Sequence, residues 1–172
     1  MITITHEHSE IFLMQPKFEE LDYVARLWSD EKTMEEVGGP VPFPEEKRTD
    51  WYRRMVQPGD GHNFYCLIYT NENEKVGEVS FHQYDEAKRT AYLNVKIAHE
   101  HRGHDYGMHA VLLLLDFYFN MFGGEQMLDD VFAKNSGAQH LLAKCGFEIV
   151  SEDNDTLRMS ISKERFDMLY SD

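Results

Sequence analysis

Three strand-like runs follow one another in the middle of the chain, and this feature constrains the fold more than any other. Residues 63–70, 76–84 and 90–98 are rich in aromatic and β-branched side chains, which favour strands. Short polar turns at residues 71–74 and 85–88 join them. Because strands joined by such short turns pair antiparallel, the sequence predicts an antiparallel meander.

Helices are predicted on both sides of this meander. Residues 18–28 carry apolar side chains at helical spacing, and Pro44 opens a second helix with Trp51, Tyr52 and Met55 on its buried face. The other predicted elements are a short strand near 10–14, a long apolar helix over 106–122, a strand over 126–133, a helix over 136–145 that Gly146 ends, and strands near 147–151 and 156–162.

The order of these elements predicts an α+β, or mixed α/β, fold. The 172 residues are the length of one ordinary domain, and neither a repeat nor a Ser/Gly/Pro-rich linker interrupts them. Hydrophobic residues make up 42% of the chain, which is enough to fill one core and argues against intrinsic disorder. The sequence therefore predicts a single domain over residues 1–172.

Acidic residues strongly outnumber basic ones. The chain contains 17 Lys and Arg against 31 Asp and Glu, which gives a formal net charge of −14. A protein that binds a nucleic-acid backbone needs a basic face, and the sequence shows no Lys/Arg cluster longer than pairs. Nucleic acid and anionic membrane surfaces are therefore poor partners, whereas a cationic amine would be steered toward this surface.

Cys66 and Cys145 both lie in apolar stretches, a pattern typical of small buried side chains in a reducing compartment. The first residues show neither the basic nor the apolar region of a secretory signal. The longest apolar segment is too short and too polar to be a membrane span. We therefore expect a cytoplasmic protein.

The segment 93–110 carries the strongest functional signal. A predicted strand ends there, and the run Arg-Gly-His-Asp-Tyr-Gly at residues 102–107 leads into a helix. Glycines let the backbone approach a ligand closely, and the free N–H groups of a helix's first turn bind anions. The turn is a candidate diphosphate site, and an ordinary turn is the alternative.

The run at residues 102–107 resembles the cofactor loop of the GNAT N-acetyltransferase superfamily, whose frequent form is R-G-x-G-Y-G. A second block, residues 135–147, is similar to the family's N-x-x-A/S helix that ends in K-x-G-F. A third block, within residues 28–51, is similar to the Rim-type branch, which includes ribosomal-protein alanine and spermidine N-acetyltransferases. The resemblance covers nearly the whole chain.

This resemblance implies a GNAT-like fold and the chemistry that goes with it. The implied fold is a central, mostly antiparallel twisted sheet of about six or seven strands, flanked by about four helices. It is splayed between the fourth and fifth predicted strands, residues 90–98 and 126–133. The implied chemistry uses acetyl-CoA as co-substrate and an amine as acceptor, without a metal.

The same resemblance implies the cofactor-binding residues. Backbone N–H groups of Ile97, Ala98 and their neighbours are expected to hold the acetyl carbonyl. Asn135, which opens the second block, is expected to contact the cofactor or to order the splayed strands. An ordinary cap of the helix beginning at Ser136 is the alternative for Asn135. The loop residues implied in cofactor binding are Arg102, Gly103, His104, Asp105, Tyr106, Gly107 and Met108.

Three positions depart from the family pattern. Asp105 stands where the family usually has a middle glycine, and we expect its side chain to cap the following helix. Leu142 stands where many members carry a tyrosine that protonates the departing thiolate. Tyr92 stands where many Rim-type members carry a glutamate.

Amine acetylation also needs a proton acceptor, because a substrate amine is mostly charged at neutral pH. Alternation along residues 76–84 places Glu78, His82 and Tyr84 on one face. We predict Glu78, His82 and Tyr92 as the catalytic candidates. An ordinary surface or core role is the alternative for each of them.

Four histidines cluster at residues 99–109, but HEHRGH lacks the second histidine of H-E-x-x-H, so we predict no metal site. The predicted function is acetyl transfer from acetyl-CoA to a primary amine, either of a small, polyamine-like or other molecule or of a protein N-terminus. A non-catalytic acetyl-CoA-binding sensor or interaction module is the alternative. A homodimer is also expected as a possible assembly.

Overall fold

The computed structural model describes residues 1–171, and a single eight-stranded sheet runs through them in the order β1-β2-β3-β4-β5-β6-β8-β7. All neighbouring strands pair antiparallel except β5 and β6, which are parallel. The strands are β1 (Thr3–Ile4), β2 (Ile11–Met14), β3 (Phe64–Thr70), β4 (Lys75–Asp85), β5 (Thr90–Ile97), β6 (Gln126–Phe132), β7 (Glu148–Asp153) and β8 (Thr156–Ser162). The predicted meander corresponds to β3–β5 and is confirmed.

Within residues 1–171, six α-helices flank this sheet: α1 (Leu21–Ser29), α2 (Glu31–Met34), α3 (Glu45–Met55), α4 (Tyr106–Phe117), α5 (Ser136–Cys145) and α6 (Lys163–Tyr170). The mixed α+β class is confirmed, with more elements than predicted. β1, α2 and α6 are not among the predicted elements. The first two are too short to show a period, since β1 has two residues and α2 has four. Asp172, the last residue of the predicted domain, lies outside the described residues.

Apolar side chains fill both faces of the sheet. The larger cluster lies under α4 and α5 and includes Phe81 and Leu114. The smaller one lies under α1 and α3 and includes Leu21, Tyr65 and Trp51. Two layers of helices therefore cover the central strands, as expected for a sheet whose β3 is buried along its whole length.

Both cysteines are free and buried, as their apolar neighbours predicted. Burial raises the pKa of each thiol above its usual range, so neither is a thiolate at neutral pH. This agrees with their interpretation as small core side chains and excludes either of them as a nucleophile.

A bulge in β4 corrects one prediction. The register shifts between His82 and Asp85, and Gln83 adopts a left-handed conformation with φ 56°. The extra residue turns Tyr84 to the other face, where its ring packs 4.8 Å from that of Phe122. Tyr84 therefore does not share a face with Glu78 and His82, because the alternation does not continue through the bulge.

The sheet forks between β5 and β6. These strands pair only at Thr90–Gln126, Ala91–Met127 and Tyr92–Leu128. Beyond Tyr92, β5 stays paired with β4 as far as Ile97, while β6 stays paired with β8 as far as Phe132. The predicted splay between the fourth and fifth strands is confirmed, since they correspond to β5 and β6.

Candidate active site

The fork opens into a cleft of about 920 Å³. That volume suits a small-molecule or cofactor site, which typically measures about 300–1,000 Å³. Its walls come from both strands of the fork, from the loop before α4, from the starts of α4 and α5, and from the turn after α2. The cleft therefore brings together residues from the two motif blocks that the sequence placed far apart.

One wall of the cleft carries unpaired backbone groups of β5. The Ala98 N–H donates to the Val76 carbonyl at 2.9 Å, on the β4 side. Backbone groups alternate in direction along a strand, so those of Leu93, Val95 and Ile97 are directed to the open side. The prediction for Ala98 is therefore corrected, because its N–H is already engaged. Val95 and Ile97 carry the N–H groups that are suitably directed.

The loop before α4 forms a second set of free donors. Gly103 and Asp105 have positive φ values of 88° and 61°, which turn successive N–H groups toward one side. Within residues 1–171, the backbone N–H groups of residues 103–108 find no acceptor, and His109 is the first to donate, to the Asp105 carbonyl at 3.1 Å. Consecutive free N–H groups at a helix N-terminus form an anion site, so this loop fits a diphosphate.

The Arg102 side chain holds this loop in place and precedes the residues with free N–H groups. Its Nη2 donates to the Thr33 carbonyl at 3.0 Å and its Nε to the Ile97 carbonyl at 3.3 Å. The neighbouring His99 N–H donates to Thr33 Oγ1 at 3.0 Å. The guanidinium therefore anchors the loop to α2 and β5. The His104 and Tyr106 rings stack beside it, 5.2 Å apart.

Asp105 does not cap α4, which corrects a prediction. Its side chain makes no capping hydrogen bond, and its carboxylate pairs with Lys144 Nζ of α5 at 3.4 Å. The residue itself occupies the left-handed region, so its backbone places the carboxylate outside the first turn. The positive φ also explains why glycine suits this position in the family.

We expect the substitution Asp105→Gly to strengthen acetyl-CoA binding about two- to fivefold, because it removes a carboxylate from the mouth of an anion site. Glycine also adopts the observed φ without strain. Isothermal calorimetry measures the effect, and Asp116→Asn on the exposed side of α4 serves as the charge control. Weaker binding by the glycine variant would contradict this role of Asp105.

Asn135 and Leu142 form the α5 side of the cleft. The Ala138 N–H donates to Asn135 Oδ1 at 3.0 Å, so the side chain caps α5, as the alternative for Asn135 stated. Its Nδ2 also donates to the Glu36 carbonyl at 3.5 Å, which ties α5 to the turn after α2. Leu142 is buried and lines the cleft without a hydroxyl group.

Glu78 lies beside the cleft rather than in it, which corrects its prediction as a proton acceptor. The side chain is 1% exposed. Oε1 accepts from Trp28 Nε1 at 2.8 Å and from Tyr65 OH at 2.6 Å. Oε2 accepts from Asn94 Nδ2 at 2.8 Å and from Lys96 Nζ at 3.3 Å. A carboxylate held by four donors stabilises the packing and is poorly available as a base.

His82 and Tyr92 both line the cleft, on the neighbouring strands β4 and β5. Their ring centroids are 6.0 Å apart. Burial, together with the charge of Lys96, lowers the pKa of His82, so its imidazole is neutral at pH 7 and able to accept a proton. The Tyr92 hydroxyl accepts from Arg158 Nη2 at 3.4 Å, and the guanidinium lies over its ring.

Charged residues of the cleft that the sequence did not indicate include Lys96 and Asp129. Both line it, and Lys96 is held by Glu78 and by Asn94 Oδ1, at 2.6 Å. Burial, with a further contribution from Asp130, raises the pKa of the Asp129 carboxyl to about 7. The available signal was the Asp-Asp pair inside a strand whose neighbours Met127 and Val131 are core residues.

Among residues 1–171, no group of three or more His, Cys, Asp or Glu side chains is arranged to hold a metal ion. The structure also contains no helix, within the same range, that is long and apolar enough to cross a membrane.

The sequence matches the family model described as the acetyltransferase (GNAT) domain over residues 10–148. This range covers most of the chain and includes the fork, the loop and α5. The chain belongs to the GNAT acetyltransferase family. It is an acetyltransferase that uses acetyl-CoA as its co-substrate.

Solved structures share this fold, whereas no curated protein matches the sequence significantly. Spermidine N-acetyltransferase from Vibrio cholerae, in complex with CoA and spermine, is 19% identical, with a TM-score of 0.81 over 92% of this chain and 99% of that one. A dodecameric structure of the same Vibrio cholerae enzyme is 18% identical, with a TM-score of 0.77 over 95% and 98% of the two chains. At identities this low, the TM-scores establish a common fold.

Proposed function

We propose that this protein transfers the acetyl group of acetyl-CoA to a primary amine of a cationic, polyamine-like acceptor. The forked sheet carries this proposal, since one cleft holds both the free N–H groups of β5 and those of the loop before α4. The loop groups would hold the diphosphate. The Val95 and Ile97 N–H groups would hold the acetyl carbonyl and stabilise negative charge on its oxygen.

Four acidic side chains line the cleft and favour a cationic acceptor: Glu36, Asp105, Asp129 and Asp130. Of the basic residues Lys96, Arg102 and Lys144 that line the same cleft, Lys96 is paired with Glu78 and Lys144 with Asp105, which offsets their charges. The formal net charge of −14 acts in the same direction at long range. The spermine-bound Vibrio cholerae structure, which has the same fold, agrees with this choice of acceptor.

Release of free CoA, measured with a panel of amines, tests the proposal. The panel comprises spermidine, an aminoglycoside, a neutral amino acid and a peptide with a free N-terminus. We expect the highest kcat/KM with the polyamine, falling severalfold as salt rises from low ionic strength to about 0.5 M, because salt screens the acidic cleft. Preference for a neutral or anionic amine without salt dependence would contradict the cationic acceptor.

The same assay separates catalysis from the alternative of a non-catalytic sensor. A sensor would bind acetyl-CoA in calorimetry and release no CoA with any amine. His82 and Tyr92 remain candidate catalytic residues in our proposal because both line the cleft. His82→Gln and Tyr92→Phe are expected to lower kcat modestly, and unchanged rates for both would remove them from the site.

Self-association and a cytoplasmic location also stay predictions. The edge strand β7 is exposed along its length and carries Ile149 and Val150, with exposures of 52% and 56%. An exposed apolar edge favours pairing with another copy. Sedimentation velocity measures the assembly, and a monomer at all concentrations would contradict the expected homodimer. Cell fractionation measures the location.

A further inference from the structure

Asp129 occupies the apex of the fork. The last pair between β5 and β6 joins Tyr92 to Leu128, so Asp129 is the first β6 residue beyond it. Its backbone stays fixed, because it pairs with the buried Met159 of β8. Its side chain is half-buried and lines the cleft. Asp129 therefore lies on a rigid strand where the two walls of the cleft meet.

The other carboxyl groups of the cleft are engaged or lie at its exposed mouth. Asp130 accepts from Arg158 Nε at 2.8 Å and from Nη2 at 3.0 Å, and Asp105 pairs with Lys144. Glu36 is exposed. Within residues 1–171, the Asp129 carboxyl accepts no hydrogen bond and forms no ion pair. The Asp129 carboxyl is therefore partly shielded from water and free to exchange a proton with a ligand in the cleft.

Titratable groups from several elements line the same cleft as this carboxyl. Burial and the neighbouring Asp130 together raise its pKa to about 7, and Lys96 of β5 acts in the opposite direction. The other titratable groups of the cleft lie on β4, β5 and α5 and at the loop and turn that close it, and Arg158 approaches from β8. Those other cleft groups are His82, Tyr92, His140, Lys144, His101, Arg102, Asp105, Tyr106 and Glu36.

We propose that Asp129 is the catalytic residue that accepts the proton of the acceptor amine, and that it passes a proton on to the departing thiolate. The inference rests on the proposed function and adds a residue to it. It also supplies the proton donor that Leu142 cannot provide, since Leu142 lines the same cleft without a titratable group.

The step balances in protons and electrons. An alkylammonium loses one proton to become a nucleophile, and its nitrogen loses a second when its lone pair forms the N–C bond to the acetyl carbon. The C–S bond breaks, and its electron pair leaves with sulfur. Asp129 accepts these protons in turn. One proton goes to the thiolate, which leaves as the thiol, and the other goes to solvent.

The pH–rate profile of Asp129→Asn tests this inference. In the wild type we expect kcat with a saturating polyamine to rise with pH through about 7, as the carboxyl ionises. The asparagine variant should lose this limb and fall roughly a hundredfold or more in kcat. Its CoA affinity, measured by calorimetry, should stay within about twofold, because Asp129 is not part of the loop before α4 that we propose to bind the diphosphate. Asp116→Asn, exposed on α4, is the matched control.

Asp130→Asn provides a second variant. It removes the like charge beside Asp129, and this change lowers the pKa of Asp129. The acid limb should therefore move to lower pH. An unmoved limb in this variant would contradict Asp129 as its origin.

Thermal unfolding gives a readout that does not depend on turnover. The Asp129 carboxyl has a pKa of about 4 in the unfolded chain and about 7 in the folded protein. The folded protein therefore becomes less stable as pH rises from about 4 to about 7. Asp129→Asn should therefore raise Tm at about pH 8 by several degrees, and the gain should vanish near about pH 4. An equal Tm difference at both pH values would contradict a raised pKa for the Asp129 carboxyl.

The outcomes separate this inference from the proposed function. A wild-type protein that releases no CoA with any amine overturns the proposed function, and this inference with it. An active wild type whose Asp129→Asn variant keeps both rate and acid limb overturns the inference alone. Loss of CoA affinity in that variant would assign Asp129 to cofactor binding and overturn its role as proton acceptor.

Discussion

Replacing Gly107 with valine is expected to weaken acetyl-CoA binding by at least about tenfold, or roughly 1.4 kcal/mol. A Cβ at this position would lie 2.6 Å from Leu141 Cδ1 and 3.5 Å from Ile97 Cγ1. Gly107 is thus the point where α4, α5 and β5 approach one another. A branched side chain would force these elements apart and displace the free N–H groups of the loop.

Calorimetry with acetyl-CoA measures this effect, and two further variants separate its causes. Gly107→Ala adds a single carbon whose close contact is with the flexible end of Leu141, while its contact with Ile97 is of ordinary length, so we expect a smaller loss. Gly123→Ala, after the other end of α4, strains a residue with φ 106° and has nothing within 4 Å. It should lower Tm and leave affinity unchanged. Unchanged affinity of Gly107→Val would exclude a diphosphate at this loop.

Truncating Glu78 to alanine is expected to destabilise the fold by about 3–5 kcal/mol. The change removes the acceptor of four donors, of which Tyr65 OH is buried and Lys96 is charged. A buried donor left without a partner destabilises the fold, because nothing then compensates the free energy of removing it from water. Because a domain of this size has about 5–15 kcal/mol of stability, this is a large share.

Urea unfolding and Tm measure the loss, and Glu78→Gln is the matched variant. Glutamine keeps the volume and one oxygen acceptor, so it should lose less stability than alanine. Glu72→Ala, in an exposed turn, should change stability little. If Glu78→Gln instead kept its Tm and showed a rate loss that higher pH rescued, Glu78 would be a proton acceptor after all.

Local features of the sequence were sufficient for most of the fold. Runs of aromatic and β-branched residues joined by short turns predicted β3, β4 and β5, helical spacing predicted α1, and a long apolar segment predicted α4. Gly146 was predicted to end α5, and it has φ 115° in the left-handed cap. Such signals are local, because turn chemistry and side-chain period act on residues close in the chain.

Some local expectations failed where a single residue changed the backbone. The left-handed Gln83 reversed the face of Tyr84, and the left-handed Asp105 took its carboxylate away from the helix it was predicted to cap. Nothing in the composition of these short segments distinguishes a bulge from a regular strand. The outcome depends on packing, such as the place available to Tyr84 beside Tyr118 and Phe122.

The sequence by itself determined the order of the elements, the family blocks and the glycine-bearing loop, since each is written in residues that are neighbours in the chain. Only the tertiary structure decided the chemistry of individual carboxylates. Glu78 is poorly available as a base because its carboxylate accepts hydrogen bonds from Trp28, which lies 50 residues away, and from donors on β3 and β5. Asp129 gains its raised pKa from burial at a fork that two separate strands create. A carboxylate's availability depends on its distance from water and from other charges, and the folded chain sets both.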